Sequence, residues 1–189
     1  KSILKIILRF MKIKNYFSGN VKLIELNKYK DNRGFFIELF NKKNFIKLSI
    51  PNNFVQDNFS FSKNIGTIRG LHFQENKFKQ SKLIYTLNGK IFDVVVDLRK
   101  NSPTYGNYKS FILSDKNNLI LYVSKHFAHG FCTLEKNTMV MYKVSQYYKK
   151  KYEKTIMWND KDISINWPNV NKKFILSDKD KQGILFKDF

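Results

Sequence analysis

The chain contains few of the residues that cross-link a small domain or interrupt regular structure: one cysteine, three prolines and eight glycines among 189 residues. The single Cys132 cannot form an internal disulfide bond, which excludes a disulfide-stapled secreted domain and indicates a cytoplasmic protein. No apolar run approaches the length of about 20 residues that a membrane-spanning helix requires, so we expect no membrane partner. Aromatic residues make up 16% of the chain, which favours a folded, strand-rich core over disorder.

Acidic residues are also scarce, since 15 Asp and Glu oppose 35 Lys and Arg and leave a formal net charge of +20. Such a positive field attracts anionic ligands, and a basic β-barrel that binds nucleic acid is one interpretation. The lysines are scattered along the chain, however, apart from the run at residues 149–151. We therefore expect an anionic small-molecule substrate and no nucleic-acid partner.

Residues 1–10 precede Met11, which opens a segment that resembles a protein start. We expect residues 1–10 to be an upstream extension and residues 11–189 to form a single domain. The alternative for residues 1–10 is a short basic amphipathic anchor, although this length is marginal for interfacial binding.

Beyond residue 20, short runs of apolar, aromatic and β-branched residues follow one another closely, which predicts β-strands. These runs are 21–26, 35–40, 54–61, 67–73, 83–87, 90–98, 111–113, 119–123, 130–134 and 138–145. The best candidate for a short helix is 42–48, and the Asn88-Gly89 dipeptide predicts a hairpin between its flanking strands. Because no intervening helix has crossover length, the pattern predicts an antiparallel all-β sandwich or barrel with short peripheral helices.

Several residues that can exchange protons lie within or beside these apolar runs: His72, Lys82, His129 and Tyr142. Inward-facing groups of this kind line a pocket in a barrel mouth, although packing or solvation is the commoner role of each taken singly. Arg69 and His72 would face opposite sides of a regular strand. A bulge at Gly70 would bring both side chains to one pocket.

His126 and His129 suggest a metal-binding alternative, since barrels with several imidazoles commonly hold iron or zinc. The chain has three histidines, no His-x-His pair and no glutamate at short spacing after them. We therefore expect no metal, and a metal-dependent cupin oxygenase is the least favoured interpretation.

Eight motifs follow one another along the chain: DNRGFFIELF (31–40), FVQDNFSFS (54–62), GTIRGLHFQ (66–74), SKLIYTLNGKIFDVVVDLRKNSPTYG (81–106), FAHGF (127–131), MYKVSQYY (141–148), WND (158–160) and LSDKD (176–180). In this order they resemble the dTDP-4-dehydrorhamnose 3,5-epimerase family from about residue 21 to the C-terminus. The resemblance implies a cupin-like jelly-roll fold and a homodimeric isomerase of dTDP-rhamnose and polysaccharide biosynthesis.

The resemblance also implies a role for each matched residue. His72 is then the general base that removes the proton next to the sugar's keto group, and Asp180 is the carboxylate that orients it. Tyr142 is the acid on the opposite face, and Lys82 stabilises the enolate oxygen. The remaining matched residues contact the sugar, its phosphates or the nucleotide: Arg69, His129, Gln56, Asn58, Tyr148, Arg33, Phe36 and Glu38, with the Arg33 strand exchanged between subunits of the dimer.

The implied reaction inverts C3 and C5 of dTDP-4-dehydro-6-deoxyglucose and yields dTDP-4-dehydrorhamnose. The C4 ketone acidifies both positions, so that a base, an acid and a group holding the enolate charge suffice, without a cofactor or metal. A related epimerase that inverts only one centre is the alternative. The chain departs from the family pattern at ENKFKQ (75–80) and Ser124-Lys125-His126, which bear on substrate preference.

Overall fold

Two antiparallel β-sheets lie face to face and enclose a common interior. The computed structural model describes residues 12–50, 53–170 and 173–189; the extension expected at residues 1–10 lies outside them. The strands are β1 (Lys12–Tyr16), β2 (Val21–Glu25), β3 (Tyr29–Asp31), β4 (Gly34–Phe36), β5 (Gln56–Ser62), β6 (Ile68–Gln74), β7 (Lys82–Asn88), β8 (Lys90–Asp97), β9 (Tyr108–Ser114), β10 (Leu119–Val123), β11 (Phe127–Thr133), β12 (Thr138–Val144) and β13 (Glu153–Thr155). The helices are α1 (Lys42–Lys47) and α2 (Asp178–Lys181), with single 3₁₀ turns at Asn76–Phe78, Lys150–Tyr152 and Phe186–Asp188.

The larger sheet has six strands in the order β1-β2-β10-β7-β12-β5, and the smaller has five in the order β13-β6-β11-β8-β9. Strands β3 and β4 form a separate two-stranded hairpin. From β5 to β8 each successive strand lies in the other sheet, and so do the strands from β9 to β13. This antiparallel, two-sheet arrangement confirms the predicted all-β, cupin-like jelly roll.

The apolar residues form three layers, one between the sheets and one on the outer face of each. The inner layer includes Ile84 and Val140 from the six-stranded sheet and Ile91, Val95 and Phe131 from the five-stranded sheet. Side chains of strand β8 alternate between two layers. Ile91 and Val95 lie between the sheets, whereas Val94 is buried in the outer layer of the five-stranded sheet. The C-terminal segment covers that outer layer, which places Asp180 within reach of the five-stranded sheet.

Helix α1 covers the outer face of the six-stranded sheet. Its first turn is capped by Asn41, whose side-chain oxygen accepts a hydrogen bond from the backbone N–H of Asn44 at 3.3 Å. Phe45 is fully buried and packs with Leu48 and Ile50 against that sheet. The helix confirms the prediction at 42–48 and closes an apolar face that would otherwise lie open to water.

Two expectations about local structure are wrong. The Asn88-Gly89 turn is tight, with Gly89 at a φ of +81°, but it does not close a hairpin, because β7 pairs in the six-stranded sheet and β8 in the five-stranded sheet. The strand expected at 35–40 ends at Phe36, because Ile37, Leu39 and Phe40 turn inward to pack against the layer under α1.

Strands β1, β3 and β13 have no counterpart in the predicted runs. The lysines of β1 hide its alternation, and β3 and β13 are only three residues long. In the part of the chain that the structure describes, no helix has the length and apolar character needed to span a membrane.

Candidate active site

A cavity opens between the two sheets, and strand β5 supplies its most informative wall. Gln56, Asn58 and Ser60 alternate along the inner face of β5 and line the cavity. Phe59 and Phe61 alternate with them on the outer face, where they are 59% and 47% exposed. This pattern is the reverse of an ordinary half-buried strand, which points apolar residues inward. The reversal indicates a polar binding site inside and an apolar contact surface outside.

A bulge in strand β6 directs two functional side chains into the same cavity. His129 of β11 pairs with His72, while Phe131 of β11 pairs with Arg69, so that β6 carries one extra residue between the two pairs. The predicted bulge at Gly70 is therefore confirmed. Its glycine is required, because a Cβ atom there would lie 2.4 Å from the Cα of Gly130 and the residue has a φ of +142°.

His72 is held by a carboxylate that comes from the far end of the chain. Its Nε2 lies 2.5 Å from Asp180 Oδ1, and the N-cap residue of α2, Ser177, donates a hydrogen bond to Asp180 Oδ2 at 2.8 Å. A carboxylate at Nε2 assigns the ring hydrogen to that nitrogen and leaves the lone pair on Nδ1. Burial lowers the pKa of His72 despite the opposing effect of Asp180, which keeps the imidazole available as a base.

The six-stranded sheet presents Lys82 and Tyr142 across the cavity from His72. Lys82 donates a hydrogen bond to the His72 backbone carbonyl at 3.2 Å, and burial lowers the pKa of its ammonium to about 8. Burial raises the pKa of Tyr142, although Arg69 acts in the opposite direction. Tyr142 therefore remains protonated at neutral pH, as a proton donor must be.

A second histidine–carboxylate pair borders the same cavity through His129. His129 Nε2 is 2.8 Å from Oδ2 of Asp93, and Asp93 is fully buried. Burial raises the pKa of Asp93, against the stabilising effects of His129 and Lys82 on its charge. Sequence reasoning missed Asp93 as a site residue, although a carboxylate between Ile91 and Val95 on an apolar strand face was a usable signal.

The rim of the cavity carries a second group of polar residues. The Tyr148 hydroxyl donates to Glu153 Oε2 at 3.0 Å, and Lys179 Nζ donates to Glu153 Oε1 at 2.8 Å. Sequence reasoning singled out Tyr148 but neither of its two neighbours. Lys179 lies inside the LSDKD motif beside Asp180, which could have directed attention to it.

Three of the predicted binding residues lie outside this cavity. Arg33 is exposed in the β3–β4 turn and pairs with Asp31. Phe36 is 67% exposed, and Glu38 accepts hydrogen bonds from the side chains of Asn41 and Asn44. The cavity of the same chain therefore brings together every predicted site residue except these three: His72, Asp180, Tyr142, Lys82, Arg69, His129, Gln56, Asn58 and Tyr148.

The part of the cavity around His72, Arg69 and Asp180 has a volume of about 250 Å³. Arg69, Lys82 and Lys179 give it cationic character suited to an anionic ligand. Among residues 12–50, 53–170 and 173–189, no group of three histidine, cysteine or acidic side chains is arranged to hold a metal ion. The arrangement can remove a proton on one side and deliver one on the other.

The fold and the site define a jelly-roll protein built for acid–base chemistry on an anionic ligand. Residues 18–188 match the family model described as dTDP-4-dehydrorhamnose 3,5-epimerase. The chain belongs to this family and is an isomerase.

Individual relatives agree with this assignment. The dTDP-4-dehydrorhamnose 3,5-epimerase of Sinorhizobium fredii is 46% identical over 162 residues, which cover 86% of this chain and 83% of the relative. The crystal structure of the Bacillus anthracis enzyme with TDP and PPi bound matches with a TM-score of 0.89 and 49% identity, covering 93% of this chain and 99% of that one. The Legionella pneumophila enzyme in complex with dTDP-4-keto-L-rhamnose also has a TM-score of 0.89, with 40% identity and coverage of 94% and 93%.

Proposed function

We propose that this chain inverts C3 and C5 of dTDP-4-dehydro-6-deoxyglucose to form dTDP-4-dehydrorhamnose. The observation that carries the proposal is the placement of a carboxylate-oriented imidazole, His72, across a cationic cavity from a protonated phenol, Tyr142. Membership of the epimerase family supports the same reaction.

The proposed mechanism assigns one task to each side chain. His72 Nδ1 removes the proton from the carbon next to the C4 ketone, and the electron pair of the C–H bond moves onto the ketone oxygen. The Lys82 ammonium stabilises the resulting enolate charge. Tyr142 then delivers its hydroxyl proton to the other face of the same carbon, which completes the inversion. Exchange with solvent restores the protonation states of His72 and Tyr142.

The nucleotide end of the substrate is assigned to the remaining predicted residues. Gln56, Asn58 and Tyr148 line the cavity near its rim, and Arg69 and His129 lie close to the reacting groups. Their guanidinium, imidazole and amide groups are suited to phosphate and base recognition. A cytoplasmic location completes the proposal, because nucleotide-sugar chemistry and the single, buried Cys132 suit a reducing compartment.

We also propose that the protein is a homodimer in which the β3–β4 hairpin and the segment that follows it contribute Arg33, Phe36 and Glu38 to the partner's site. The exposure of these residues away from their own cavity supports this role. The aromatic outer face of the edge strand β5 supports a contact between copies, since exposed apolar patches mark interaction surfaces.

Analytical sedimentation tests the dimer. The native protein should sediment as a dimer, and the double variant Phe59→Lys with Phe61→Lys should shift it toward the monomer. A monomeric native protein would contradict the proposal.

Incubation of the purified protein with dTDP-4-dehydro-6-deoxyglucose in D₂O tests the reaction, with the deuterium located by NMR. Deuterium at both C3 and C5, together with inversion of both, is the expected result. Deuterium at one centre identifies the single-centre alternative. Absence of exchange, with steeply salt-dependent binding to a polynucleotide, would instead support the nucleic-acid alternative.

A further inference from the structure

Gln74 lies two residues after His72 on strand β6 and lines the cavity wall, yet its side-chain amide is committed to the protein. It is 3% exposed. Its Nε2 donates to the backbone carbonyls of Phe78 at 2.8 Å and Tyr147 at 3.2 Å. Its Oε1 accepts a hydrogen bond from the backbone N–H of Lys149 at 2.6 Å. Both amide hydrogens are therefore used, which leaves no donor for a substrate.

These hydrogen bonds lie on both sides of Tyr148. The carbonyl of Tyr147 belongs to the peptide group that precedes Tyr148, and the N–H of Lys149 belongs to the peptide group that follows it. The preceding group is fixed a second time, because the Tyr148 N–H donates to Gln56 Oε1 at 3.1 Å. Fixing both peptide planes fixes the two backbone dihedrals of Tyr148 and hence the direction in which its side chain leaves the backbone.

Tyr148 needs such an anchor because packing alone does not hold it. The residue is 49% exposed. Its side chain is held at the tip, where the hydroxyl donates a hydrogen bond to Glu153. An exposed ring at the rim of a cavity can stack on a flat base, but it loses conformational entropy when it is ordered on binding. A ring that is already directed by its backbone avoids much of that loss.

We propose that Gln74 is a positioning residue that holds Tyr148 in the orientation needed to stack on the nucleotide base. The inference rests on the proposed assignment of Tyr148 to the nucleotide. It extends to the loop with the unusual sequence ENKFKQ, because the Phe78 carbonyl shares the same amide. The Gln74 side chain therefore hydrogen-bonds both to that loop and to the backbone on either side of Tyr148, and it lies two residues after the proposed base, His72.

The test compares Gln74→Met, which keeps the side chain's length and removes all three hydrogen bonds, with Tyr148→Ala. Calorimetric titration with dTDP should show a loss of affinity of about 5- to 150-fold for Tyr148→Ala, the range that base–aromatic stacking covers. Gln74→Met should weaken dTDP binding by at least about threefold, with a rise in KM that exceeds the fall in kcat. Inorganic pyrophosphate lacks a base, so its affinity should be the same for both variants and for the native protein.

The double variant separates positioning from general loosening of the fold. If Gln74 acts through Tyr148, then Gln74→Met should have no further effect on dTDP affinity once Tyr148 is alanine. Asn88→Leu is the control, because Asn88 also donates a side-chain amide to a backbone carbonyl, that of Asn137, but far from the cavity. It should leave dTDP affinity unchanged. Should Gln74→Met fail to fold, Gln74→Glu keeps the acceptor oxygen and loses the donors.

Four results would overturn the inference. Additive losses in the double variant, or equal losses for dTDP and pyrophosphate, would make Gln74 a general structural residue. An unchanged affinity in Gln74→Met, with a weakened one in Tyr148→Ala, would leave the role of Tyr148 intact and remove that of Gln74. If Tyr148→Ala itself binds dTDP normally, the assignment of Tyr148 fails and the inference fails with it, while the reaction at His72 remains testable in D₂O.

Discussion

His72 and Tyr142 belong to opposite sheets, so the proposed mechanism assigns proton removal to one side of the cavity and proton delivery to the other. We predict that His72→Asn abolishes both inversion and solvent exchange. Tyr142→Phe should retain exchange, because His72 can remove a proton and return it to the same face. Net inversion should nevertheless fall by about 10²–10⁴, the worth of one general acid. Proton NMR in D₂O measures both quantities, and a Tyr142→Phe enzyme that inverts at the native rate would remove Tyr142 from the mechanism.

In the proposed mechanism Asp180 acts through His72, which it contacts at Nε2. We predict that Asp180→Asn behaves as a weaker form of His72→Asn, because the base remains while the tautomer that frees Nδ1 is no longer held. Inversion and exchange should therefore fall together in steady-state NMR assays, unlike in Tyr142→Phe. A selective loss of inversion would show that Asp180 has another role.

If Lys82 stabilises the enolate as proposed, its ionisation sets an alkaline limit to activity. Burial lowers the pKa of the Lys82 ammonium to about 8, so the cation is present below that pH and is lost as the pH rises through it. We predict that kcat/KM, which reports ionisations of the free enzyme, declines above about pH 8. Tyr142 is not the cause, since burial raises its pKa from an ordinary value of 10.0.

Lys82→Arg tests whether Lys82 causes the decline in activity above about pH 8. Its guanidinium keeps the charge far above pH 8, so the variant should lack the alkaline decline even if it turns over more slowly. A decline at the same pH in this variant would assign the limit to another group.

At the scale of the element, the bulge in β6 decides whether the site exists. Gly70 and Gly34 have similar φ values, +142° and +135°, but a Cβ at Gly70 meets the Gly130 backbone whereas a Cβ at Gly34 meets nothing within 4 Å. We predict that Gly34→Ala costs about 1 kcal/mol of unfolding free energy and that Gly70→Ala costs at least about 3 kcal/mol, because steric overlap is added to backbone strain. Urea denaturation measures both changes, and equal costs would contradict the assigned role of the close backbone approach.

Much of this element-level structure could be predicted from the sequence, because it depends on near neighbours. The runs at 119–123 and 138–145, the helix at 42–48 and the bulge at Gly70 follow from local alternation, capping and glycine chemistry. Strand pairing does not follow in this way. The Asn88-Gly89 turn looks the same whether its flanking strands pair with each other or join different sheets. The choice between these two arrangements depends on strands from distant parts of the chain, which pair with β7 in one sheet and with β8 in the other.

The same distinction applies to the candidate site. Residues carried by recognisable motifs, such as His72 and Asp180, could be assigned from the sequence. Gln74 ends the motif at 66–74, but neither its role nor that of Glu153 could be assigned, because their contacts come from segments that the local pattern does not connect. Gln74 and the backbone of Tyr147 are separated by 73 positions along the chain.

At the scale of the whole molecule, the proposed exchange of the Arg33 strand between subunits predicts complementation between two inactive variants. Mixing Arg33→Ala with His72→Asn under conditions that exchange subunits should restore activity to about a quarter of the sites, because each hybrid dimer contains one site with both native residues. The measurement is the rate of inversion after mixing, with hybrid formation checked by tagged subunits.

A second mixture controls for nonspecific rescue. His72→Asn with Lys82→Met should remain inactive, because these two residues line the cavity of one chain and every site then carries a defect. If hybrids form in the Arg33→Ala mixture and activity does not return, Arg33 serves its own subunit or none.

Because the chain alternates between the two sheets, most strand pairs join distant parts of the sequence, and this affects the folding rate. Among the described strands, only β1 with β2, β3 with β4 and β8 with β9 pair with their neighbours in sequence. Such non-local pairing is typical of proteins that fold in milliseconds to seconds. Neither sheet alone carries both His72 and Tyr142, so a half-folded chain has no site to fill. We therefore expect the nucleotide sugar to bind only the completed fold and to stabilise it by about 2.7 kcal/mol at a hundredfold excess over Kd. The supply of substrate thus helps to set how much folded enzyme persists.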